Sequence, residues 1–502
     1  MGRTHTGLVV GVSYLAIGVA GMALGAASLE GQTISPRTVP VLMAQQFDIL
    51  PSDRAAMGGV SIALDDDLLD PFVNPATATR TRSGRFSVAP YFHSLSASDV
   101  GGRTLPIAGV GSFGNWSAGG FVALQSLDRA RLAFNAPVSE RTASNRYLQG
   151  ILARRFGEHL SVGASAYWAE LGAEQGIDQL YSGSDRIVQN GSANDVRLGL
   201  TSQWHGSRVL QVVVLRSNFD MTHDVHFPAF RRWVPPNSFT DVPARQELNQ
   251  DHTKRWGVHS TFDQPIGSDG WRIGWLGTVN RLSHPKIPDY RINEVITVPR
   301  DPGHTWAWNA GMGVSRVAGR STLGVDVVLE PMYSTTWAEA ARDTVATSGR
   351  VIPRGAHTVD NEFRFSNTMM RFGFAHEWPQ DDSANVIGLR AGLGLHAMQY
   401  RLWQTDLVRD SSRVQDEHWM EWTPTLGFLW RTPAMEFRYT ASLTCGAGGS
   451  CVGCFLACGQ DVSLAAPSPS DGGVIAAPTD QLRFNAGRAM SHRFVFTLRG
   501  RL

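Results

Sequence analysis

The chain has 502 residues and a formal net charge of +1, so its overall charge gives no indication of a nucleic-acid partner. Only 18% of its residues are charged, below the roughly 25% of a typical soluble domain. It contains 52 glycines and 15 tryptophans, and its only lysines are Lys254 and Lys286. This composition favours a β-rich protein over a helical one.

Residues 1–27 are predicted to form a secretory signal peptide. A basic start at Arg3 precedes an apolar stretch from Leu8 to Leu24, and the small residues after it offer a cleavage site. An uncleaved membrane anchor is the alternative. No run of about 18 apolar residues follows residue 30, so we expect no membrane helix. A closed barrel is then the way for such a chain to span a membrane.

From residue 84 onward, segments of about 10 residues alternate between two faces, as the strands of an outer-membrane barrel do. Residues 160–168 alternate apolar side chains with small or polar ones. Elsewhere the second face carries charge, as a polar lumen would, at Asp326, Glu330 and Arg390. The pattern therefore predicts an all-β, transmembrane antiparallel barrel over residues 84–502.

The residues indicate about 16 strands, with 14 as the alternative. Short turns alternate with long connections, as in bacterial barrels with periplasmic turns and extracellular loops. A soluble β-sandwich or propeller is the competing fold, and neither predicts this alternation. The long connections are 217–253, 284–303, 334–361 and 446–480. The candidate strands begin near Arg85, Thr104, Trp116, Arg146, His159, Asp195, Arg208, Arg255, Trp271, Thr305, Ser321, Phe363, Asn385, His418, Met435 and Arg493.

Tryptophans lie near the ends of these predicted strands, which is typical of the aromatic girdles at membrane interfaces. The alternating C-terminal segment from Arg493 to Arg499 is similar to the last strand that barrel-assembly machinery recognises. The chain ends in Leu502 rather than the usual aromatic residue.

Residues 45–83, between the signal peptide and the first strand, are predicted to form a compact, turn-rich plug. A glycine pair supplies backbone freedom, and an Asn-Pro-Ala sequence is a turn signal. The acidic run that begins at Asp65 and ends at Asp67 predicts a solvated turn that pairs with lumen arginines. The residues assigned to the plug and its gate are Gly58, Gly59, Asp65, Asp66, Asn74, Pro75 and Ala76.

This frame, from Ala55 to Ala76 and followed by a strand, resembles the N-terminal hatch of the FadL family. That family contains outer-membrane transporters of long-chain fatty acids and aromatic hydrocarbons, and PorV-like proteins of type IX secretion share the hatch pattern. The motif likeness ends at His93. The resemblance implies a 14-stranded barrel plugged by the hatch, with a hydrophobic ligand captured by outer loops. It also implies that the ligand leaves sideways through a gap at a kinked strand.

Two further sets of residues are assigned on this basis. Gly119-Gly120, in the third strand, offers a kink for a lateral gap or merely relieves crowding beside the hatch. In the loop 223–236, aromatic rings would hold the ligand while an arginine pairs with a carboxylate. Packing on neighbouring loops or contact with lipopolysaccharide is the alternative. The capture residues are Phe227, Phe230, Arg231, Arg232 and Trp233.

The cysteines Cys445, Cys451, Cys454 and Cys458 fall within one predicted loop, and their even, clustered number in a secreted chain favours two disulfides. Three pairings are open. Zinc, an iron–sulfur cluster or free thiols are the alternatives, although the spacing lacks the paired pattern of metal sites.

No nucleophile elbow, phosphate loop or His-Glu-x-x-His motif occurs, so we expect no enzyme, catalytic residue, metal or cofactor. The sequence predicts an outer-membrane channel that takes up hydrophobic small molecules through a hatch-gated, laterally opening barrel. Its expected partners are that ligand, outer-membrane lipids and the barrel-assembly machinery. A PorV-like scaffold for surface proteins is the alternative, and the hatch disfavours a general porin.

Overall fold

The computed structural model describes residues 46–81, 84–95, 100–128, 142–173, 184–204, 207–234, 238–283, 291–292, 295–296, 303–340, 342–380, 385–448 and 487–500. The predicted signal peptide lies outside these ranges. Ahead of the first strand come a 3₁₀ turn Ala55–Met57, helix α1 Asp70–Val73 and a 3₁₀ turn Pro75–Arg80. No described helix is long and apolar enough to cross a membrane.

The strands of the first half are β1 Gly84–Val88, β2 Tyr91–Leu95, β3 Val100–Phe113, β4 Trp116–Asp128, β5 Thr142–Phe156, β6 Leu160–Leu171, β7 Arg186–Trp204, β8 Arg208–Phe227, β9 Phe230–Val234, β10 Ser238–Val242, β11 Arg245–Ile266 and β12 Trp271–Ser283. Those of the second half are β13 Arg291–Ile292, β14 Val295–Ile296, β15 Gly303–Ala318, β16 Ser321–Glu339, β17 Thr344–Val345, β18 Val351–Ile352, β19 His357–Pro379, β20 Val386–Asp406, β21 Ser411–Arg431, β22 Met435–Gly448 and β23 Gly487–Gly500.

Sixteen antiparallel barrel strands close on themselves within the described residues. β1 and β2 together form the first, because the pairing register is the same on both sides of Ala89-Pro90. Each later barrel strand pairs with the next in the chain, and β23 returns to pair with β1 and β2. The number 16 read from the residues is confirmed, and the 14 strands implied by the family resemblance are wrong for this chain.

Alternating exposure along each strand separates an apolar outer wall from an inner wall. On β6, Leu160 and Val162 are exposed, while Ser161 and Ser165 are buried. On β16, Asp326 is fully buried on the inner face. Strand-forming β-branched and aromatic residues dominate the outer positions, and the inner positions hold glycine, hydroxyl and charged residues. The sequence prediction of the two faces is therefore confirmed.

One end of the barrel has short turns and the other has long extensions. The turns at Gly114, Gly157 and Gly319 place glycine at positive φ, which a side chain would strain. β19 and β20 have 23 and 21 residues, whereas a membrane crossing takes about 9–11. The far ends of these strands therefore project beyond the apolar band.

These projecting strands correct the prediction of long loops at 217–253 and 334–361. β8 and β11 pair from Val209 out to Phe227, and β16 and β19 pair out to Glu339. A small hairpin of β9 and β10 lies between the first two strands, and a hairpin of β17 and β18 lies between the second two. Residues 284–303 and 446–480 lie mostly outside the described ranges.

Tryptophans on the outer face form two levels. Trp116, Trp204, Trp378 and Trp430 are exposed near the short turns. Trp168, Trp256, Trp306 and Trp308 are exposed nearer the other end of their strands. About ten residues of a tilted strand span roughly 25 Å, the height of the apolar band of an outer-membrane barrel. The two levels match the predicted girdles.

Cys445 lies on β22, where it pairs with Trp422 of β21, and not in a loop as predicted. Its side chain is buried and disulfide-bonded. Cys451, Cys454 and Cys458 lie outside the described residues, so the pairing stays a prediction.

Candidate functional site in the barrel lumen

Residues 46–81, called here the internal segment, contact strands on every side of the closed barrel. A segment that touches so many strands lies within the lumen that they enclose. The contacts are hydrogen bonds, ion pairs or close backbone approaches to Arg85 of β1, Ser112 of β3, Gln125 of β4, Gln149 of β5, Ser161 of β6, Arg197 of β7, Gln211 of β8, Gly274 of β12, Ser315 of β15, Asp326 of β16, Arg371 of β19, Arg390 of β20, Thr425 of β21, Arg438 of β22 and Arg493 of β23.

The Asn-Pro-Ala sequence anchors this segment to β7 and β8. The Asn74 side chain accepts a hydrogen bond from the Ala76 N–H (3.1 Å) and so caps the following 3₁₀ turn. Its amide nitrogen donates to Gln211 Oε1 (3.0 Å) and Thr201 Oγ1 (3.2 Å). Pro75 follows the cap, where its missing N–H is not needed. The predicted turn residues thus also hold the segment to the wall.

Inward glycines of the barrel make room for the backbone of the segment. A Cβ on Gly163 would lie 2.5 Å from the carbonyl carbon of Pro75, and one on Gly392 would lie 2.0 Å from the Gly58 nitrogen. Gly58 and Gly59 both have positive φ, and the Gly58 N–H donates to Thr425 Oγ1 (3.1 Å). Several of the abundant glycines of this chain are therefore packing positions for the segment.

The acidic run Asp65–Asp67 does not act as one solvated turn. Asp65 and Asp67 are exposed and pair with Arg80 and Arg85 at 2.7 and 2.8 Å. Asp66 is only 1% exposed, which corrects the prediction for this residue. Its carboxylate accepts from the Ser52 hydroxyl and from the backbone N–H groups of residues 53, 54, 68 and 69. Asp66 thus stabilises the fold of the segment.

Asp66 and Asp70 are expected to respond oppositely to the same substitution. Asp66→Asn replaces one carboxylate oxygen, which accepts hydrogen bonds, by an NH₂ group, which cannot accept them from the five donors around it. This substitution should destabilise the segment by about 2–4 kcal/mol.

The Asp70 carboxyl accepts a hydrogen bond from the Asp66 N–H. Burial, followed by the charges of Asp66 and Asp65, raises the pKa of this carboxyl well above its ordinary value. The folded state therefore binds this proton more tightly than the unfolded state, and stability falls as pH rises from the ordinary pKa towards the raised one.

We expect Asp70→Asn to remove this pH dependence and to leave the segment as stable or more stable at neutral pH. Hydrogen exchange of residues 46–81 in both variants measures the effect. Equal loss of protection in the two variants would contradict these roles.

Buried charged side chains tie the segment to the second half of the barrel. Asp48 pairs with Arg493 of β23 at 2.8 Å, and both side chains are at most 5% exposed. Asp326 of β16 accepts from the N–H groups of Ser61 (2.7 Å) and Ile62 (3.2 Å). Losing one partner of such a pair leaves a buried charge uncompensated. These contacts hold the segment in one position.

An apolar cluster, called here the apolar mouth, lines the inner wall at the far end of the barrel from the short turns. Phe363, Phe365 and Tyr400 form its centre, with ring centroids 5.5–6.1 Å apart. Aromatic packing at these distances adds to the stabilisation from burial. The full set is Leu282, Ala307, Met332, Phe363, Phe365, Met398, Tyr400, Leu402 and Ala489.

A belt of polar side chains lies on the inner wall between the apolar mouth and the internal segment. His396 Nε2 is 3.6 Å from Glu330 Oε2, and Asn309 donates to the same carboxylate at 3.4 Å. Glu421 faces His396 from the next strand, and Asn280 is buried at the same level. A ligand that enters from the apolar mouth therefore meets polar groups before it reaches the segment.

A cavity of about 50 Å³ lies below this belt, above Gly58 and Gly59. Its lining includes the charged side chains of Asp48, Arg371 and Arg493 and the hydroxyl residues Thr423, Thr425, Thr440, Ser442 and Ser491. A space of this size has room for a few water molecules and not for a hydrocarbon.

The predicted gap residues Gly119 and Gly120 lie in an unbroken ladder. Gly120 is paired with Gly109 of β3 and Gly150 of β5, and the pairing continues on both sides of it. A different interruption occurs at Ala89-Pro90, opposite Pro106 of β3. Pro106 lacks the N–H that would donate to Ala89, and Pro90 lacks the N–H that would donate to Phe494, so at this seam the first barrel strand loses one donor toward β3 and one toward β23.

The predicted capture residues are not brought together in one loop. Phe227 is buried at the end of β8, where the guanidinium of Arg245 lies 3.9 Å from its ring centroid. Phe230 is exposed, and Arg231 pairs with Asp241 across the small hairpin at 2.8 Å. Arg232 and Trp233 lie on β9 of the same hairpin, and their side chains are outside the description.

The apolar mouth was missed by sequence reasoning, although a signal for it was present. Phe363 and Phe365 alternate with polar residues on β19, and Met398, Tyr400 and Leu402 do so on β20. These positions share the face of Arg390, which the sequence prediction had already placed inside. Extending that alternation outward would have identified apolar residues in the lumen.

No family model matches the chain, and no curated protein does. Among solved structures, the chain is similar to a FadL homologue from Pseudomonas aeruginosa, with 10% identity, a TM-score of 0.42 and coverage of 90% of this chain and 99% of that one. It is also similar to the toluene transporter TodX of Pseudomonas putida, at 9% identity and a TM-score of 0.38 over 89% and 97% of the two chains. The toluene transporter TbuX of Ralstonia pickettii gives 11% identity and a TM-score of 0.33 over 89% and 97%. Structural similarity at these identities and TM-scores gives no evidence about function.

Proposed function

We propose that this protein is an outer-membrane channel for hydrophobic small molecules, and that the internal segment is its hatch. The observation that carries the proposal is the apolar mouth. The lumen of an outer-membrane barrel is ordinarily polar. A cluster of nine apolar side chains on the inner wall therefore favours an apolar ligand over a polar one. Each of these side chains is at most 9% exposed, so a ligand would bind by inserting among them and not by covering an open surface.

The closed lumen supports a gated channel over a general porin. Barrels of about 16–18 strands leave an aqueous channel when nothing fills them. Here the internal segment contacts strands around the whole barrel, and ion pairs such as Asp48–Arg493 hold it. Water-soluble solutes would therefore need the segment to move.

We place the exit at the seam formed by Ala89-Pro90 and Pro106, in place of Gly119-Gly120. Leu68 of the segment packs on Ala89 of the seam and on Val495 of β23. A shift of the segment would uncover this weak part of the wall from the inside. A ligand leaving there would pass the polar belt and then enter the bilayer without crossing the whole length of the lumen.

Native mass spectrometry of the detergent-purified barrel, incubated with fatty acids and aromatic hydrocarbons, tests the proposal. Retention of an apolar ligand, with no retention of sugars of similar mass, is the expected result. A barrel that retains no apolar ligand would contradict the function, whatever its lipid content.

A scaffold for surface proteins is the second candidate, and the outer hairpin of β17 and β18 favours it. Val345 and Val351 are exposed there, and the hairpin is held to a neighbouring turn by hydrogen bonds to Val408 and Asp410. A scaffold would lose its protein partner when this hairpin is shortened, whereas a channel would keep its ligand.

A further inference from the structure

A cross-strand row on the outer face alternates cationic and aromatic side chains. Arg216 of β8 is paired with Trp256 of β11, Trp256 with Arg281 of β12, and Arg281 with Trp306 of β15. The guanidinium carbon of Arg216 lies 5.0 Å from the Trp256 ring centroid, and that of Arg281 lies 5.7 Å from Trp306. Lys254, two residues before Trp256 on the same face, is also exposed. We call these five residues the cationic row.

The row lies at the membrane surface away from the short turns. Trp256 is about ten residues from the turn that ends β11, a rise of roughly 25 Å along a tilted strand. It is 56% exposed and belongs to the upper level of tryptophans. Bacterial barrels keep their short turns in the periplasm, so the row faces the outer leaflet.

The three cations of the row have no carboxylate partner in the described part of the chain. Farther along the same row, Arg364 pairs with Glu362 at 2.8 Å and Arg401 pairs with Asp416 at 2.5 Å. By contrast, Arg216 and Arg281 rest on indole rings, which attract a cation without neutralising it. Their charge remains available to an anion.

We propose that the cationic row binds the phosphate groups of a glycolipid headgroup in the outer leaflet. Guanidinium groups recognise phosphate through paired N–H donors. Arg216 and Arg281 are two strands apart, about 10 Å, so together with Lys254 they match a headgroup with more than one phosphate. A zwitterionic phospholipid offers one phosphate beside an ammonium group and fits three cations less well. This site lies on the outer wall and is independent of the lumen.

The experiment compares lipid retention by the full-length barrel and by matched variants. Purified barrels are incubated with lipopolysaccharide, enzymatically dephosphorylated lipopolysaccharide or phosphatidylethanolamine, and bound lipid is counted by native mass spectrometry. Wild type is expected to prefer the phosphorylated glycolipid. Arg216→Gln and Arg281→Gln should each weaken this binding roughly fivefold, and Arg216→Lys should lose less, because it keeps the charge.

The control substitutes two arginines that lie over tryptophan rings in the same way, but at the opposite membrane surface. Arg154 lies 5.1 Å from the Trp116 ring and Arg316 lies 5.3 Å from the Trp271 ring, both near the short turns. Arg154→Gln with Arg316→Gln should leave glycolipid binding unchanged. The proposal is overturned if this control pair loses as much as the row variants, or if wild type binds the dephosphorylated glycolipid equally well. Altered mobility of boiled and unboiled samples confirms that each variant is folded.

Discussion

A barrel that lacks residues 46–81 is expected to conduct ions at least about tenfold better than the intact protein. The segment contacts strands around the whole barrel, and without it the lumen of a 16-stranded barrel would fill with water. Current through single barrels in planar bilayers measures the change. An intact barrel that already conducts as well as the deleted one would show that the segment does not close the lumen.

Single substitutions make the same test without a deletion. Gly163→Leu and Gly392→Leu place side chains where the backbone of the segment now lies, 2.5 and 2.0 Å from Pro75 and Gly58 atoms. We expect each to displace the segment and raise conductance. Gly277→Leu is the control, because Gly277 faces outward and a Cβ there meets nothing within 4 Å. Increased conductance in the Gly277 variant would point to a general loss of barrel structure.

Phe365→Ala is expected to weaken binding of a hydrophobic ligand roughly ten- to a hundredfold. Phe365 is 4% exposed because it packs on Phe363 and Tyr400, and a ligand inserted among these rings would take over an apolar contact worth about 1.5–3 kcal/mol. Titration of the purified barrel with the retained ligand measures the dissociation constant. The variant should keep its closed lumen, because Phe365 is not among the residues that hold the internal segment.

Phe374→Ala is the matched control for this substitution. Phe374 lies on the same strand, β19, but faces outward and is 46% exposed. Its loss removes apolar surface from the outer wall and none from the lumen. Equal affinity losses at positions 365 and 374 would show that the ligand is held nonspecifically by the detergent-covered surface.

The barrel itself could be predicted from the sequence because its pattern is local. Alternation along β6 and β20 identified the two faces, and glycine turns such as the one at Gly114 marked the short connections. The lengths of the outer strands could not be predicted. Beyond the membrane the outer face becomes polar, so residues 217–227 of β8 alternate in the opposite sense to a membrane strand, with polar side chains outward and mostly apolar ones inward.

The lumen could be predicted only in part, because its contacts join residues far apart in the chain. Asn74 was identified as a turn residue, but its hydrogen bond to Gln211 depends on the closed barrel. Asp66 and its exposed neighbours are the same residue type, and only their folded surroundings distinguish them. The apolar mouth combines β12, β15, β16, β19, β20 and β23, and no segment of the sequence contains more than a few of its residues.

The central claim is that a hydrophobic ligand binds at the apolar mouth above a closed internal segment. Anomalous scattering from crystals of the barrel grown with a brominated hydrocarbon tests it most directly. The account predicts a bromine peak against Phe363, Phe365 and Tyr400, with residues 46–81 still in the lumen. Bromine found only on the outer wall, at a concentration that saturates binding, would contradict it.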